Sequence, residues 1–480
     1  MTREWTVIAT LLVYNVVLVL IGVWASGRTR DSEDFYLGGR RLGPIIASIS
    51  ASASSSSAWT LLGVSGAAYL WGVSALWLFP ATLLGFLINW ILVAPRLMPE
   101  SRRAGLITLT EFVAGDRESD LHVATMRSIA VIVVFSFLFY IASQFQAAGN
   151  ALSGLLGMTP RMAVVFGGLV ILAYTFLGGF WASSVTDTLQ GLLMFASAII
   201  LPLGALIAVG GFTGLGSGLA AAPPVGGPSA FAGPAFVGFV LGTLGIGLGY
   251  PGQPHVVNRF MALRDERALR IGRIIAISWA VCVYAGMLIL GLCGRVLVGR
   301  LADGEQIFFA VTNRLFSPMV AGLMIAAVLS AIMSTADSQL LVVASSVGHD
   351  WRRSTSKHLE SLRGSRIAVV GSAILAIGLA ILAPASIYSR VLFAWHAVGS
   401  ALGPTVLMRL AGRRLNTRAV LASVWIGFAG TVILHWLPDS PGDWMERLIP
   451  FFVALGVLIA GDSVGRRSAI IDHPSSIRDL

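Results

Sequence analysis

A run of serines between Ser48 and Trp59 holds the densest polar chemistry in the sequence. Seven of these twelve residues are serine, and the run lies inside an apolar segment from Leu42 to Leu70. Serine hydroxyls compete for backbone hydrogen bonds and loosen a helix interior. At bilayer depth, polar groups are tolerated where they face protein or a water-filled cavity. The run favours either a broken helix that binds an ion or small solute, or a helix whose small residues pack closely on its neighbours.

A second group of oxygen donors is predicted on one face of a helix near residues 316–348. Its members are Ala331, Ser334, Thr335 and Ser338, at spacings of three, four and seven residues. Hydroxyl and carbonyl oxygens, without thiolate or imidazole, suit a hard cation such as Na⁺, by the logic known for other hard cations. A small-residue packing face is the alternative.

Four ionisable residues fall within or beside apolar segments, where a carboxylate costs about 2.5–3.5 kcal/mol on insertion scales. Asp187 opens a predicted span, where it is either functional or a solvated helix cap. Asp337 lies one turn beyond Ser334, and we expect it to face an inner water-filled vestibule. His396 and His435 are expected to be neutral, hydrogen-bonded histidines between helices, with His396 the better placed to contact a substrate.

The composition places these residues in a membrane. Hydrophobic residues make up 56% of the 480 residues and charged residues only 12%, and the mean hydropathy is +0.82. A soluble domain carries about 25% charged residues. Cys282 and Cys293 share one apolar segment and indicate neither a disulfide framework nor a metal site. We therefore expect an all-α integral membrane protein, not an enzyme, with no organic cofactor.

About thirteen apolar segments are long enough to cross a bilayer, at roughly 20 residues per crossing. They lie near 6–26, 42–69, 73–95, 128–152, 160–181, 187–210, 232–258, 274–298, 316–348, 367–386, 388–410, 419–436 and 446–462. The first segment lacks a signal-cleavage pattern and is predicted to be a span. Gly210–Gly233 is predicted to be an irregular outer loop, and Leu106–Arg117 a short segment at the inner interface.

The distribution of basic residues predicts the orientation. With the N-terminus outside, 26 of the 33 lysines and arginines fall on the inner side. The inner segments are 27–41, 96–128, 259–273, 350–366, 409–418 and the tail from 463. This asymmetry follows the positive-inside rule. The net charge of +10 is therefore ascribed to topology and to contact with anionic membrane lipid, and not to nucleic-acid binding. We expect a multi-pass protein of a bacterial plasma (inner) membrane, with its C-terminus in the cytoplasm.

The span at 232–258 is predicted to be broken as well. Residues 245–255 contain four glycines and two prolines, which cannot sustain a regular helix. Numbering from the second predicted span, the serine-rich segment is core span 1 and this segment is core span 6. Interrupted helices at matching positions of two five-helix halves are typical of inverted-repeat secondary transporters. A proline kink without function is the alternative.

In combination, several short segments of this sequence resemble the sodium/solute symporter family, over about residues 5 to 410. The resemblance is strongest to bacterial sodium/proline symporters. The aspartate at position 337 is a feature in which the sequence also resembles sodium/pantothenate symporters. The matching segments are Asp34–Arg40, Leu42–Pro44, Tyr174–Phe180, Thr186–Thr188, Gly247–Tyr250, Gly252–His255, Arg259–Met261, Met333–Thr335 and Ser338–Leu341.

The resemblance implies a leucine-transporter-type core of two inverted five-helix repeats with broken helices. The expected boundaries are 1–41 for an extra N-terminal helix and inner loop, 42–211 and 212–410 for the repeats, 411–464 for two C-terminal helices, and 465–480 for a cytoplasmic tail.

The resemblance also implies two sites. Sodium ligands would be the carbonyls of Ala53, Ser56 and Ala331 and the hydroxyls of Ser334 and Thr335, with Asp187, Asp337 and Ser55 along the sodium path. Substrate would lie near Ser57, Ala58, Trp59, Gln144, Ile246, Tyr250, Pro254 and His396.

The sequence departs from the proline symporters at three of these positions. They carry aspartate where this chain has Ser55, tryptophan where it has Ile246, and a neutral residue where it has Asp337. We hypothesise that Asp337 restores negative charge near the ion. The substrate therefore need not be proline.

These features predict sodium-coupled import of a small organic solute, most simply proline or a related amino acid. Sodium and solute need only prefer the same outward-facing state for transport to be coupled. The alternatives are a sodium/pantothenate or monocarboxylate symporter, a proton-coupled carrier in which Asp187 or Asp337 titrates, and a transporter-like solute sensor. The partners expected are the solute, the sodium ion and lipid. The sequence leaves the oligomeric state open, with a monomer as one option.

Overall fold

The architecture is helical throughout the described part of the chain. The computed structural model describes residues 3–26, 36–156, 158–222, 233–351, 362–382, 386–438 and 440–471. Asp34 and Phe35, which begin the segment Asp34–Arg40 that resembles the symporter family, lie outside these ranges. The last helix continues to Ile471, so the tail expected from residue 465 begins as helix.

The first half of the chain builds helices α1 to α9. They are α1 Arg3–Ser26, α2 Pro44–Ser55, α3 Val64–Trp71, α4 Leu78–Leu87, α5 Ala94–Arg103, α6 Leu109–Ala114, α7 His122–Leu156, α8 Pro160–Ala208 and α9 Gly211–Ala221. Helix α8 contains a sharp kink at Gly179, where φ is +60°. The two spans predicted within 160–210 therefore meet at this glycine without a connecting loop.

The second half builds helices α10 to α18. They are α10 Pro234–Gly245, α11 Pro254–Met261, α12 Glu266–Leu297, α13 Ile307–Leu315, α14 Pro318–Ser345, α15 Leu362–Leu382, α16 Ile387–Leu410, α17 Thr417–His435 and α18 Trp444–Ile471. A 3₁₀ segment, Ile246–Gly252, leads from α10 towards α11.

The helices account for the predicted number of spans. Among the described residues, nine helices are long and apolar enough to cross a membrane, and three shorter apolar helices accompany them. Helix α2 supplies the remaining span. It is not among these twelve helices because it is short and its serines make it less apolar. The all-α membrane fold predicted from the sequence is confirmed.

Both predicted helix breaks are present. Helix α2 ends at Ser55, and Ser56 adopts φ −115° and ψ 79°, outside the helical region. In the second half, Gln253 adopts φ −89° and ψ 101° between the 3₁₀ segment and α11. The chain just before α2 is also hydrogen-bonded to the chain just after α11: Leu42 N donates to Ala262 O at 3.2 Å, and Arg264 N donates to Leu42 O at 3.0 Å.

Glycines allow the broken helix of the second half to lie directly on α16. A Cβ added at Gly399 would lie 2.6 Å from the Cα of Gly249, and one at Gly252 would lie 2.9 Å from the Cα of Gly399. Small residues let membrane helices approach backbone to backbone. The glycines of core span 6 therefore serve packing as well as helix breaking.

Two connecting segments form short helices, and the first of them differs from its prediction. Gly211–Ala221, expected to be irregular, forms helix α9, because Leu215 is buried and Gly218 leaves space for Val296. Leu106–Arg117 contains α6, a helix with a Thr108–Glu111 capping box whose residues are all buried in protein. Its polar groups are thus satisfied inside the protein, as buried backbone groups require.

The contact between Gly399 and Gly249 predicts a large effect of a single methyl group. Gly399→Ala forces two backbones apart, and we expect the free energy of unfolding to fall by about 1–3 kcal/mol. Gly378→Ala is the matched control, since no atom lies within 4 Å of the position that its new methyl group would take, and alanine is the better helix former. Thermal unfolding of the purified protein in detergent measures both. Equal melting temperatures for the two variants would contradict the close packing.

Candidate functional site

The broken end of α2 is held by hydroxyl groups of α14. Ser334 Oγ donates to the carbonyl oxygen of Ala53 at 3.2 Å, and Thr335 Oγ1 donates to that of Ser54 at 3.1 Å. Ser334 Oγ also lies 3.3 Å from the carbonyl oxygen of Ala331. The structure therefore brings Ala53, Ala331, Ser334 and Thr335 into one buried cluster of oxygen atoms.

The helix break explains why these carbonyls are available. The last turn of a helix leaves its carbonyl oxygens without intrahelical partners. Since α2 ends at Ser55, the carbonyls near its end are satisfied partly by Ser56 N, 3.1 Å from Ala53 O, and partly by α14. Ser55 turns inward on its own helix, with its hydroxyl 2.9 Å from the carbonyl oxygen of Ser52.

Next to this oxygen cluster lies a buried ion pair. Asp187 Oδ2 is 2.8 Å from Arg259 Nη2 and accepts hydrogen bonds from Ser50 Oγ at 2.8 Å and Ser54 Oγ at 3.2 Å. Asp187 is 0% exposed and Arg259 is 1% exposed. The alternative of a solvated helix cap at Asp187 is wrong, because the residue lies within α8, two turns beyond the kink. Arg259, counted above with the inner-loop cations, is instead a core residue.

Ser338 joins the ion pair to a second carboxylate. Its hydroxyl oxygen lies 2.5 Å from Arg259 Nη2, 3.1 Å from Ser54 Oγ and 3.0 Å from Asp337 Oδ1. Asp337 is 0% exposed, so the predicted water-filled vestibule is wrong. Its Oδ2 has no hydrogen-bond partner within the described residues.

This arrangement sets the charge balance of the site. Arg259 pairs with Asp187, and Asp337 forms no ion pair within the described residues, so an ionised Asp337 would be a negative charge without a cationic partner there. Burying an uncompensated charge costs several kcal/mol. A cation or a proton that entered the cluster would remove this cost.

The residues at the break of α2 are held by α7. Ala58 N donates to Gln144 Oε1 at 3.1 Å, and Tyr140 OH donates to Ser57 Oγ at 3.3 Å. Trp59 then packs in an aromatic group, its ring centroid 5.8 Å from that of Tyr388 and 6.4 Å from that of Tyr284.

The second broken helix is held by α16 through Trp395. Trp395 Nε1 donates to the carbonyl oxygen of Ile246 at 3.2 Å, and its ring centroid lies 4.7 Å from that of Tyr250. The next residue, His396, is buried, and its Nε2 makes no hydrogen bond within the described residues. His435 is a packing residue: it lies on Phe393 at 4.3 Å and its Nδ1 is 3.1 Å from Glu446 Oε2.

All predicted solute residues are buried. They are Ser57, Ala58, Trp59, Gln144, Ile246, Tyr250, Pro254 and His396. None of these side chains is on the outer surface of the described protein. The residues at the two breaks thus face the interior of the protein.

Sequence reasoning missed the partners that complete the clusters. Arg259, Ser50 and Ser54 complete the charged cluster, and Tyr140 and Trp395 fix the two breaks. One signal was available: a carboxylate buried at Asp187 requires a cation, and Arg259 follows the second break by six residues.

Structural comparison assigns the chain to a class of membrane transporter fold. A Na⁺-coupled sialic acid symporter in a substrate-bound, outward-open state aligns with a TM-score of 0.79, 18% identity, and coverage of 96% of this chain and 98% of that one. Mhp1, a nucleobase-cation-symport-1 family transporter with bromovinylhydantoin bound, aligns with a TM-score of 0.59, 15% identity, and coverage of 94% and 98%. The fold is therefore the leucine-transporter type, with an inverted-repeat core and broken helices.

Sequence comparison then gives the family. The model of the sodium:solute symporter family matches residues 35–427. The high-affinity proline transporter PutP of Bacillus subtilis (strain 168) is 36% identical, covering 91% of this chain and 93% of that protein. The osmoregulated proline transporter OpuE of the same strain is 34% identical, covering 93% and 92%. The sodium/proline symporter of Salmonella typhimurium (strain LT2) is 34% identical, covering 94% and 92%. The chain belongs to the sodium:solute symporter family.

The buried ion pair makes a prediction about stability. Arg259→Gln leaves two buried carboxylates without a cation, and we expect the free energy of unfolding to fall by about 3–5 kcal/mol. Adding Asp187→Asn removes one of those carboxylates, so the double variant should regain part of the loss. Denaturation in detergent micelles, followed by tryptophan fluorescence, measures the coupling. Strictly additive effects of the two substitutions would contradict a direct interaction.

Proposed function

We propose that this protein is a sodium-coupled symporter that imports a small amino acid, with proline as the first candidate. The observation that carries the proposal is the set of buried oxygens where Ser334 and Thr335 meet the broken end of α2. The proline candidate is supported by relatives named as proline transporters at 34–36% identity over most of the chain.

The proposed sodium site uses oxygens from two helices. Its ligands are the carbonyls of Ala53, Ser56 and Ala331 and the hydroxyls of Ser334 and Thr335. Support comes from the two hydroxyls, which already point at carbonyls of α2. A neutral set of hard oxygen donors suits Na⁺, which needs partial dehydration without a high ligand charge.

The charged cluster is proposed to lie on the inward path of sodium. Asp187 would receive the ion as it leaves the oxygen cluster, with Ser55 and Asp337 beside that path. Arg259 now donates to Asp187, so the outgoing ion and the guanidinium would compete for one carboxylate. Asp337 supplies the negative charge that the proline symporters carry at the position of Ser55.

The solute is proposed to lie between the two helix breaks. Its pocket would be formed by Ser57, Ala58, Trp59, Gln144, Ile246, Tyr250, Pro254 and His396. Aromatic and aliphatic side chains suit an apolar ring or chain, and a helix N-terminus at a break suits a carboxylate. Ala58 N now donates to Gln144 Oε1, so a carboxylate bound at Ala58 N would take the place of this side-chain oxygen.

The membrane potential and the sodium gradient both favour import over export. With the inside of the cell negative, an entering sodium ion gains about 2.3 kcal/mol per 100 mV of membrane potential, in addition to the free energy of its concentration gradient. The repeats are proposed to run over 42–211 and 212–410, after the segment 1–41 and before 411–464 and 465–480. A bacterial plasma membrane and a cytoplasmic C-terminus belong to the same proposal.

Uptake into proteoliposomes tests the function. We expect labelled proline to accumulate only with an inward Na⁺ gradient, and unlabelled proline to compete better than pantothenate or a monocarboxylate. Sodium-driven uptake that only pantothenate or a monocarboxylate suppresses would exclude an amino acid as the solute. Uptake driven by an inward proton gradient without sodium would support the proton-coupled alternative, in which Asp187 or Asp337 titrates.

Substitutions in α14 test the sodium site in the same assay. Ser334→Ala removes one oxygen donor to a cation, which is worth about 1.5–3 kcal/mol, so the half-saturating Na⁺ concentration should rise roughly 10-fold to 100-fold. Ser345→Ala is the matched control, since within the described residues that hydroxyl bonds only Val342 O on its own helix.

Asp337→Ser tests whether Asp337 supplies the negative charge that the proline symporters carry at the position of Ser55. Unchanged sodium dependence in this last variant would remove the role proposed for Asp337.

A further inference from the structure

A basic cleft lies away from both candidate sites, where the ends of α5 and α16 meet α6. Its volume is about 930 Å³, and we call it the arginine cleft. The charged residues that line it are Arg96, Arg103, Arg117, Arg409, Arg413, Arg414, Glu100 and Glu111. Six guanidinium groups and two carboxylates give it a strong positive excess.

Part of this charge is already neutralised by protein. Arg103 Nη2 lies 2.5 Å from Glu100 Oε2, and Arg117 Nη2 lies 3.9 Å from Glu111 Oε1. Arg413 Nη1 lies 3.4 Å from Asp462 Oδ2. Both carboxylates of the cleft thus pair with arginines of the cleft, and Arg413 pairs with Asp462, which does not line the cleft.

Three arginines of the cleft form no ion pair within the described residues, and Asp116 is the acidic residue that acts on one of them, Arg409. Within the described chain, Arg96 and Arg409 donate only to backbone carbonyls, and Arg414 forms no ion pair or hydrogen bond. Arg409 is held in place by the carbonyls of Val113 and Ala114 at the end of α6, at 3.3 and 3.4 Å. A positioned guanidinium in such surroundings is suited to bind phosphate oxygens.

The cleft opens beside an apolar surface of a membrane span. Leu92 and Ile91, 44% and 43% exposed, lie about one helical turn before Arg96 on a predicted membrane-crossing helix. The cleft wall itself carries apolar residues, namely Pro95, Pro99, Leu106, Phe112 and Leu410. A ligand with both a negative headgroup and hydrocarbon chains matches this combination better than a free anion.

A neighbouring cleft of about 830 Å³ has the opposite character. It shares Arg414 and also contains Arg418, but it is lined by four carboxylates, those of Asp116, Glu118, Asp120 and Asp462. Carboxylates therefore outnumber arginines in this neighbouring cleft, so an anion near Arg414 is favoured on the side of Arg96 and Arg409.

We propose that the arginine cleft binds the phosphodiester headgroup of an anionic phospholipid, with the acyl chains along Ile91 and Leu92. Phosphate oxygens would bind Arg96, Arg409 and Arg414. Basic pockets between membrane helices recognise anionic headgroups in this way. This site is independent of the proposed sodium and solute sites.

Binding is tested with the purified full-length protein in a neutral detergent. The probes are dihexanoyl phosphatidylglycerol, dihexanoyl phosphatidylcholine and inorganic phosphate, and the measurements are the melting temperature and native mass spectrometry. We expect phosphatidylglycerol to bind and stabilise the protein, with phosphatidylcholine and phosphate much weaker. R96Q/R414Q should weaken phosphatidylglycerol binding by about fivefold for each lost arginine, or roughly 25-fold together.

The matched control is R267Q/R270Q. Arg267 and Arg270 are exposed on α12 outside the cleft, so this variant makes the same change in net charge and should bind like the wild type. Equal weakening in both double variants would reduce the effect to overall charge and overturn the site. Equal stabilisation by inorganic phosphate would overturn the lipid assignment, and equal binding of phosphatidylcholine would overturn headgroup recognition.

Discussion

The structure depends on one constraint: the backbone of α2 stops being helical inside the membrane, and its freed carbonyl oxygens need partners. In a soluble protein, water would satisfy them, but a bilayer offers no such partner. Ser334 and Thr335 of α14 satisfy the carbonyls of Ala53 and Ser54. Because a hydroxyl oxygen can donate to a carbonyl or bind a cation beside it, the arrangement that stabilises the break is also the one at which we propose the cation site.

A buried charged cluster lies against this break and is tied to it by Ser54 and Ser338. The hydroxyl oxygens of Ser54 and Ser338 are 3.1 Å apart, and they contact Asp187 and Arg259 respectively. The proposed cation site therefore lies in direct contact with an ion pair that connects α8 with α11. The beginning of α2 and the end of α11 are also joined through Leu42. The two broken helices are thus joined by short hydrogen bonds.

The fold could be predicted almost completely, because runs of apolar residues and helix-breaking sequences are local signals. Ser48–Trp59 and residues 245–255 each predicted a break, and both are present. The predicted convergence of Ala53, Ala331, Ser334 and Thr335 came from a helix face together with family resemblance. The burial of Asp337, the role of Arg259 and the packing of α9 could not be predicted, since each depends on which distant residues the fold brings together. Arg259 looked like a loop cation in sequence because it is followed by four more arginines.

We propose that sodium binds between α2 and α14 and holds these two helices together. The most direct test is the distance between spin labels on these elements, measured by double electron–electron resonance after replacement of Cys282 and Cys293. Ile45 of α2 and Val347 just after α14 are 57% and 41% exposed, so labels there leave the core intact. We expect Na⁺, compared with K⁺, to narrow the distribution of label-to-label distances to its shorter component. Identical distributions with and without Na⁺ would contradict it.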